Sequence, residues 1–167
     1  MKHKPKLRKN PLSINNIAIV NIIDHPEIYC DGVLLLEDLD PEQVQKWYAE
    51  KSDKLYCRKM NYEDIKRIYP NNISLYAPAK FTGYKKNEVG KMVAVLQSED
   101  NEVHINDEYY LFLEKLGYQF LITKTNKYGA LVLLKRNNKI VGAIAPIIVS
   151  TITVNIRTPQ SKKENKK

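Results

Sequence analysis

Between Val103 and Val149, signals of three different physical origins agree on one folded unit, a helix followed by strands, and that agreement limits the fold more than anything else in the chain. Val103 and Ile105 alternate with polar neighbours. Asn106 or Asp107 is placed to accept from the free N–H groups of a starting helix, and Glu108 suits its positive end. Tyr109, Phe112, Leu113 and Leu116 follow at i, i+3, i+4 and i+7, and Gly117 stands where a left-handed cap is needed. The pattern predicts a short amphipathic helix with both ends marked. Tyr118 to Thr123 then reads as a strand and residues 124–129 as a polar connection. Ala130 to Leu134 is an apolar run too short for a buried helix, and Asn137-Asn138 make a tight turn from it into Ile140 to Ile144. Pro146 cannot donate to a ladder, so regular pairing should weaken there or the strand should lie at an edge.

Upstream, Ile14 to Ile23 is dense in β-branched residues and reads as a strand broken at Asp24-His25-Pro26. Glu27 to Cys30 and Val33 to Leu36 flank Asp31-Gly32, a dipeptide suited to a type I′ turn. Asp40-Pro-Glu-Gln43 starts a helix with its face at Val44, Trp47, Tyr48 and Lys51, ending near Ser52. A second helix begins at Asn61, carries Tyr62, Ile65, Ile68 and Tyr69, and stops before Pro70. From Asn71 to Gly90 periodicity lapses, which predicts an irregular functional loop or a boundary. Met92 to Leu96 resumes as a strand, Ser98 to Asn101 turns it, and the alternation from Val149 to Ile156 adds one more.

The fold class expected is therefore α+β, a mostly antiparallel sheet with two to three short helices and disordered basic termini. The domain reading is an arm at 1–11, a body at 12–156 and a tail at 157–167. The body is either one sheet or two lobes, 12–75 and 88–156, joined by the irregular segment 71–90.

Charge sharpens this picture. The formal charge of +8 is unevenly placed: residues 1–10 carry +5 and residues 157–167 carry +4, which leaves 11–156 at −1. Within the body, residues 24–53 are acidic at −7 and residues 54–91 basic at +6. No apolar run has the roughly 18 residues a membrane helix needs, and the basic first residues lack an apolar signal core behind them. A soluble, cytoplasmic protein with no membrane partner is expected. Cys30 and Cys57 are not in a metal or disulfide spacing, so idle thiols are the plain reading.

Val103-His-Ile-Asn106, then Tyr110, Leu113 and Leu116-Gly117, then strands closing on Gly142-Ala-Ile-Ala-Pro-Ile147, resembles the last helix and sheet of a bacterial DNA sliding clamp. In that family a V-x-N-x-x-Y-L helix start leads through three strands to a terminal I-M-P-I-like run; Ala145 stands where the family usually has Met. The resemblance implies a clamp-like half-module over 103–147, from which a ring would close only through oligomerisation.

No catalytic constellation emerges. His25 lies among Asp24, Glu27, Cys30 and Asp31, but a hairpin sends alternate side chains to opposite faces, so these groups do not converge on a metal. His104 sits in a strand and is expected to face solvent. Glu37, Asp38, Asp40 and Glu42 precede a helix, where acids stabilise its start. The six glycines form no phosphate-cradling loop. No cofactor is implied. What remains is nucleic-acid contact, with lysines neutralising phosphate and rings stacking on bases. The residues expected to make it are Lys54, Arg58, Lys59, Lys66, Arg67, Lys80, Phe81, Tyr84, Lys85 and Lys86. Only five of the 27 basic residues are Arg, so sequence readout should be weak. The sequence thus points to a non-catalytic accessory protein that associates with nucleic acid or a nucleoprotein complex. Its Lys, Asn and Ile bias fits an AT-rich bacterial or phage genome. The competing readings are a protein-interaction or inhibitor module that engages a protein partner through the acidic 24–53 region and, third, a small enzyme.

Overall fold

A computed structural model describes residues 10–15, 18–51, 56–88, 90–99, 101–125 and 130–147. Lys54, nearly all of the expected arm, the strand expected after Val149 and the tail at 157–167 lie outside these residues.

The chain is α+β. Its helices are α1 (Leu12–Asn15), α2 (Pro41–Lys51), α3 (Tyr62–Lys66) and α4 (Asp107–Lys115). Its strands begin with β1 (Ala18–Ile22), β2 (Tyr29–Cys30), β3 (Leu34–Leu36), β4 (Tyr56–Met60) and β5 (Tyr76–Glu88). They continue with β6 (Lys91–Gln97), β7 (Glu102–Asn106), β8 (Gln119–Thr123), β9 (Val132–Arg136) and β10 (Lys139–Ile144). Among the described residues, eight strands form one antiparallel sheet ordered β2-β3-β10-β9-β8-β5-β6-β7, and β1 pairs with β4 in parallel.

The sheet is rolled. Five strand steps separate β10 from β7, about 24 Å if the sheet were flat. Yet the Ile147 N–H, three residues past the end of β10, donates to the His104 carbonyl of β7 at 2.8 Å. Three residues span at most about 11 Å, so the far edge must curl back toward β10. Register sets Leu36, Gly142, Leu134, Phe120 and Ala79 in one row across the inner face, and Leu35, Ala143, Leu133, Leu121 and Pro78 in the next row, facing out. The inner row packs against Val44 and Trp47 of α2 and Tyr109, Phe112 and Leu113 of α4. The outer row is covered by two smaller clusters, one around Ile65 of α3 and one that includes Tyr69 and Tyr76.

The 103–149 unit forms as its local signals require as far as Ile147. The Asn106 side chain accepts from Glu108 and Tyr109 N–H groups, capping α4. Gly117, at φ +82, ends it with Gly117 N–H to Glu114 O at 3.0 Å and Tyr118 N–H to Leu113 O at 3.2 Å, a Schellman arrangement. Asn137 and Asn138 both adopt positive φ, 53° and 66°, the type I′ turn between β9 and β10. Asp40 caps α2 through the Gln43 N–H.

Four expectations are corrected. Residues 76–88 are not irregular: they form the longest strand, whose first part pairs with β8 and whose second part pairs with β6. Its alternation is hidden because Thr82, Gly83 and Tyr84 bulge opposite Val95 alone. The β2–β3 turn centres on Gly32-Val33, not Asp31-Gly32. Only Gly32 has positive φ there (+87), which marks the II′ pattern, and Asp31 accepts from the Val33 and Leu34 N–H groups. Leu12 to Asn15 is helical although the strand was expected from Ile14. Tyr56–Met60, given no element by the sequence, is a strand because Ala18–Ile22 supplies its parallel partner from far away in sequence.

Candidate nucleic-acid interface

The expected basic residues separate into two groups on different elements. The first lies on the β5–β6 ribbon. Lys80, Tyr84 and Lys85 are exposed and Lys86 is half-buried. The bulge is pinned by one hydroxyl: Thr82 Oγ1 donates to Val95 O at 3.1 Å and accepts from Tyr84 N–H at 3.0 Å. Tyr84, at the end of the bulge, is 58% exposed, and the Lys86 ammonium lies 5.8 Å from its ring centroid. Lys91, outside the expected set, stands exposed on the same ribbon, opposite Glu88 across a turn containing Gly90 at φ +78. Gly90 was the one local cue in the sequence that could have marked this turn.

Two residues of this group turn inward. The Phe81 ring packs 4.7 Å from that of Tyr110, which in turn meets Phe120 at 5.6 Å. The Lys85 ammonium lies 3.1 and 3.0 Å from the two carboxylate oxygens of Asp107, a buried residue in the first turn of α4. Lys85 therefore fastens the ribbon to the helix.

The second group lies on β4 and α3. Arg58 and Lys59 are exposed on β4. Lys66 and Arg67 are exposed on and after α3 but face Glu63 at 3.7 Å and Asp64 at 3.4 Å, each three residues back. Such surface pairs add roughly 0.5 kcal/mol or less, and they halve the net charge this group presents.

Three acids of the acidic run, by contrast, serve internal donors. Asp31 is 3% exposed and accepts from the Tyr29 and Tyr109 hydroxyls as well as two backbone N–H groups; burial pushes its carboxyl above the usual range. Glu37 accepts from the Tyr62 and Tyr69 hydroxyls. Asp38 accepts from Tyr118 and from Arg136, whose Nε lies 2.7 Å away and whose guanidinium stacks 4.3 Å from the Tyr118 centroid. Burial first, and these carboxylates second, raise Tyr69 and Tyr118 well above the ordinary phenol range.

The histidines are local as well. His25 lies 3.0 Å from Glu27 and stacks on Tyr62. His104 does not face solvent: its side chain is 11% exposed and bonds Glu102. An open cavity of about 250 Å³ is lined by His25, Gln45 and Tyr48. Its polar walls have partners: Gln45 donates to Pro26 O, and the Tyr48 hydroxyl accepts from Cys30 N–H. Among the described residues, no three His, Cys, Asp or Glu are grouped as a metal site requires, and no helix is long and apolar enough to cross a membrane. No protein-family model, curated protein or solved structure matches the chain.

Proposed function

We propose that the chain is a non-catalytic, nucleic-acid-associated accessory protein of the cytoplasm, holding the phosphate backbone electrostatically with low sequence specificity. The observation that carries this reading is the β5–β6 ribbon, a paired stretch that carries Lys80, Lys86 and Lys91 together with an exposed Tyr84. Lysine offers point charge without the planar fork that reads base edges, which favours backbone contact. The basic runs at 1–10 and 157–167 add long-range attraction. Two free cysteines fit a reducing compartment.

The sliding-clamp resemblance supports the same class of partner, since α4 is followed by β8, β9 and β10, the helix-and-three-strands order it implies. The helices themselves favour another surface: α2 and α4 expose Glu42, Glu50, Glu108 and Glu114 beside Lys46 and Lys115. Phosphate contact thus falls to the ribbon rather than to these helices. The acidic 24–53 region is a weaker candidate for a protein partner, because Asp31, Glu37 and Asp38 already serve internal donors.

The test is equilibrium binding of the full chain to labelled single- and double-stranded DNA and RNA between about 50 and 200 mM salt. Affinity should fall linearly on a log–log plot, with a slope that drops by about 1 to 2 when Lys80 and Lys86 are both changed to Ala. No binding to any of the four at low salt overturns the proposal.

A further inference from the structure

We infer that the ligand of the ribbon is a single-stranded polynucleotide, with Tyr84 as the platform on which one unpaired base stacks; this rests on the nucleic-acid reading above. The ten expected contact residues included two aromatic rings, and the structure separates them. Phe81 is committed to the main core against Tyr110. Tyr84 is not part of that core: it is 58% exposed at the bulge, where its backbone N–H is held by the Thr82 hydroxyl, and the Lys86 ammonium lies 5.8 Å from its ring centroid.

That geometry selects the ligand. An aromatic residue more than half exposed offers a ring face to a ligand, and the π-face of a base is available only where the base is unpaired and unstacked. A duplex presents phosphates and groove edges, which lysines meet without any need for the ring. Exposing a large aromatic ring forgoes the burial available to it elsewhere in the chain, and here a bulge with a dedicated side-chain hydrogen bond maintains the exposure. Lys80, before the bulge, and Lys86, after it, lie on either side of the ring along β5, so a strand running along β5 meets charge, ring and charge in succession. The cation near the ring strengthens the platform for a base.

The experiment compares oligo(dT), oligo(U) and a DNA duplex of the same length as ligands for the full chain at one salt concentration. The unaltered chain should prefer one or both single strands to the duplex. Tyr84→Ala should weaken single-strand binding about tenfold or more and leave duplex binding within about twofold, whereas Tyr84→Phe should retain single-strand affinity. Tyr84 is exposed, so an unchanged far-UV spectrum and melting midpoint confirm that the variants are folded. Equal or tighter duplex binding, or single-strand affinity indifferent to Tyr84→Ala, overturns the inference while leaving salt-dependent nucleic-acid binding standing. Absence of binding to all three overturns both.

Discussion

The Tyr109 hydroxyl donates to the Asp31 carboxylate at 2.7 Å across 78 positions of sequence, joining the first turn of α4 to the β2–β3 hairpin. Asp31 simultaneously accepts from Tyr29 and from the Val33 and Leu34 N–H groups, so one buried carboxylate ties a turn, a strand and a helix together. Hydrogen bonds to a charged acceptor contribute roughly 1.5–3 kcal/mol each, and buried donors left without acceptors cost as much again. Tyr109→Phe should therefore cost about 2 kcal/mol. Asp31→Ala should cost about 4 kcal/mol or more, because several donors lose their acceptor together. Urea unfolding of both variants measures the difference, and equal costs would mean that Asp31 is not the hub.

Gly142 lies between Leu36 and Leu134 in the inner row, where register calls for a side chain and the space allows none. A Cβ at this position would stand 2.3 Å from the Leu35 carbonyl oxygen, and 3.1 Å from a methyl of Leu36. The carbonyl is backbone in the neighbouring strand, so relief requires moving β3 away from β10. Gly142→Ala should destabilise by about 3 kcal/mol, seen as a lower urea midpoint with an unchanged slope.

What the sequence disclosed follows from the range of the forces involved. The ends of α4 and the Asn137-Asn138 turn are decided within a few residues, by caps and by backbone angles that particular side chains favour. The β4 strand depends on β1, and Asp38 depends on Arg136, 98 positions away, so neither was legible locally. β5 was hidden by its own bulge. The basic character of 54–91 was plain, but which lysines remain available was not. That Lys85 is taken up by Asp107 depends on how the ribbon docks on α4. Which acids of 24–53 are taken up internally was hidden for the same reason, since Tyr62, Tyr69, Tyr109, Tyr118 and Arg136 all reach them from later in the chain.

Alkaline conditions should unfold the chain early. Burial is the first cause holding Tyr29, Tyr48, Tyr69 and Tyr118 above the ordinary phenol range, and burial also pushes the Cys30 thiol up to about 11. In the unfolded chain these groups release their protons near pH 8.5 for Cys and about pH 10 for Tyr. The folded state retains them, so it binds more protons there, and stability is full below about pH 8.5 and declines as pH rises. Cys30 alone accounts for about 3 kcal/mol lost between roughly pH 9 and 11. Thermal midpoints from pH 7 to 11 should fall with increasing steepness, and Cys30→Ala should flatten the portion between about pH 9 and 10. A midpoint independent of pH up to 11 would contradict this.

Lys85 and the pair Lys80 and Lys86 occupy one strand, yet should fail in opposite ways when replaced. The Lys85 ammonium is spent on Asp107, whose side chain is 11% exposed, and the contact secures the ribbon to α4. Lys85→Met would leave a nearly buried carboxylate without its cation, at a cost of about 2 kcal/mol. Because that charge faces Asp107 rather than a ligand, affinity for a single strand should change by less than about twofold. Lys80 and Lys86 have no acidic partner among the described residues, so their joint replacement by Ala should move stability by less than about 0.5 kcal/mol. The same double variant should lower affinity severalfold at low salt, because two phosphate contacts are lost. Measuring urea midpoints and binding constants on both variants gives a crossed pattern if the ribbon grips phosphate through Lys80 and Lys86. Parallel losses would instead show that the ribbon's charge serves the fold alone.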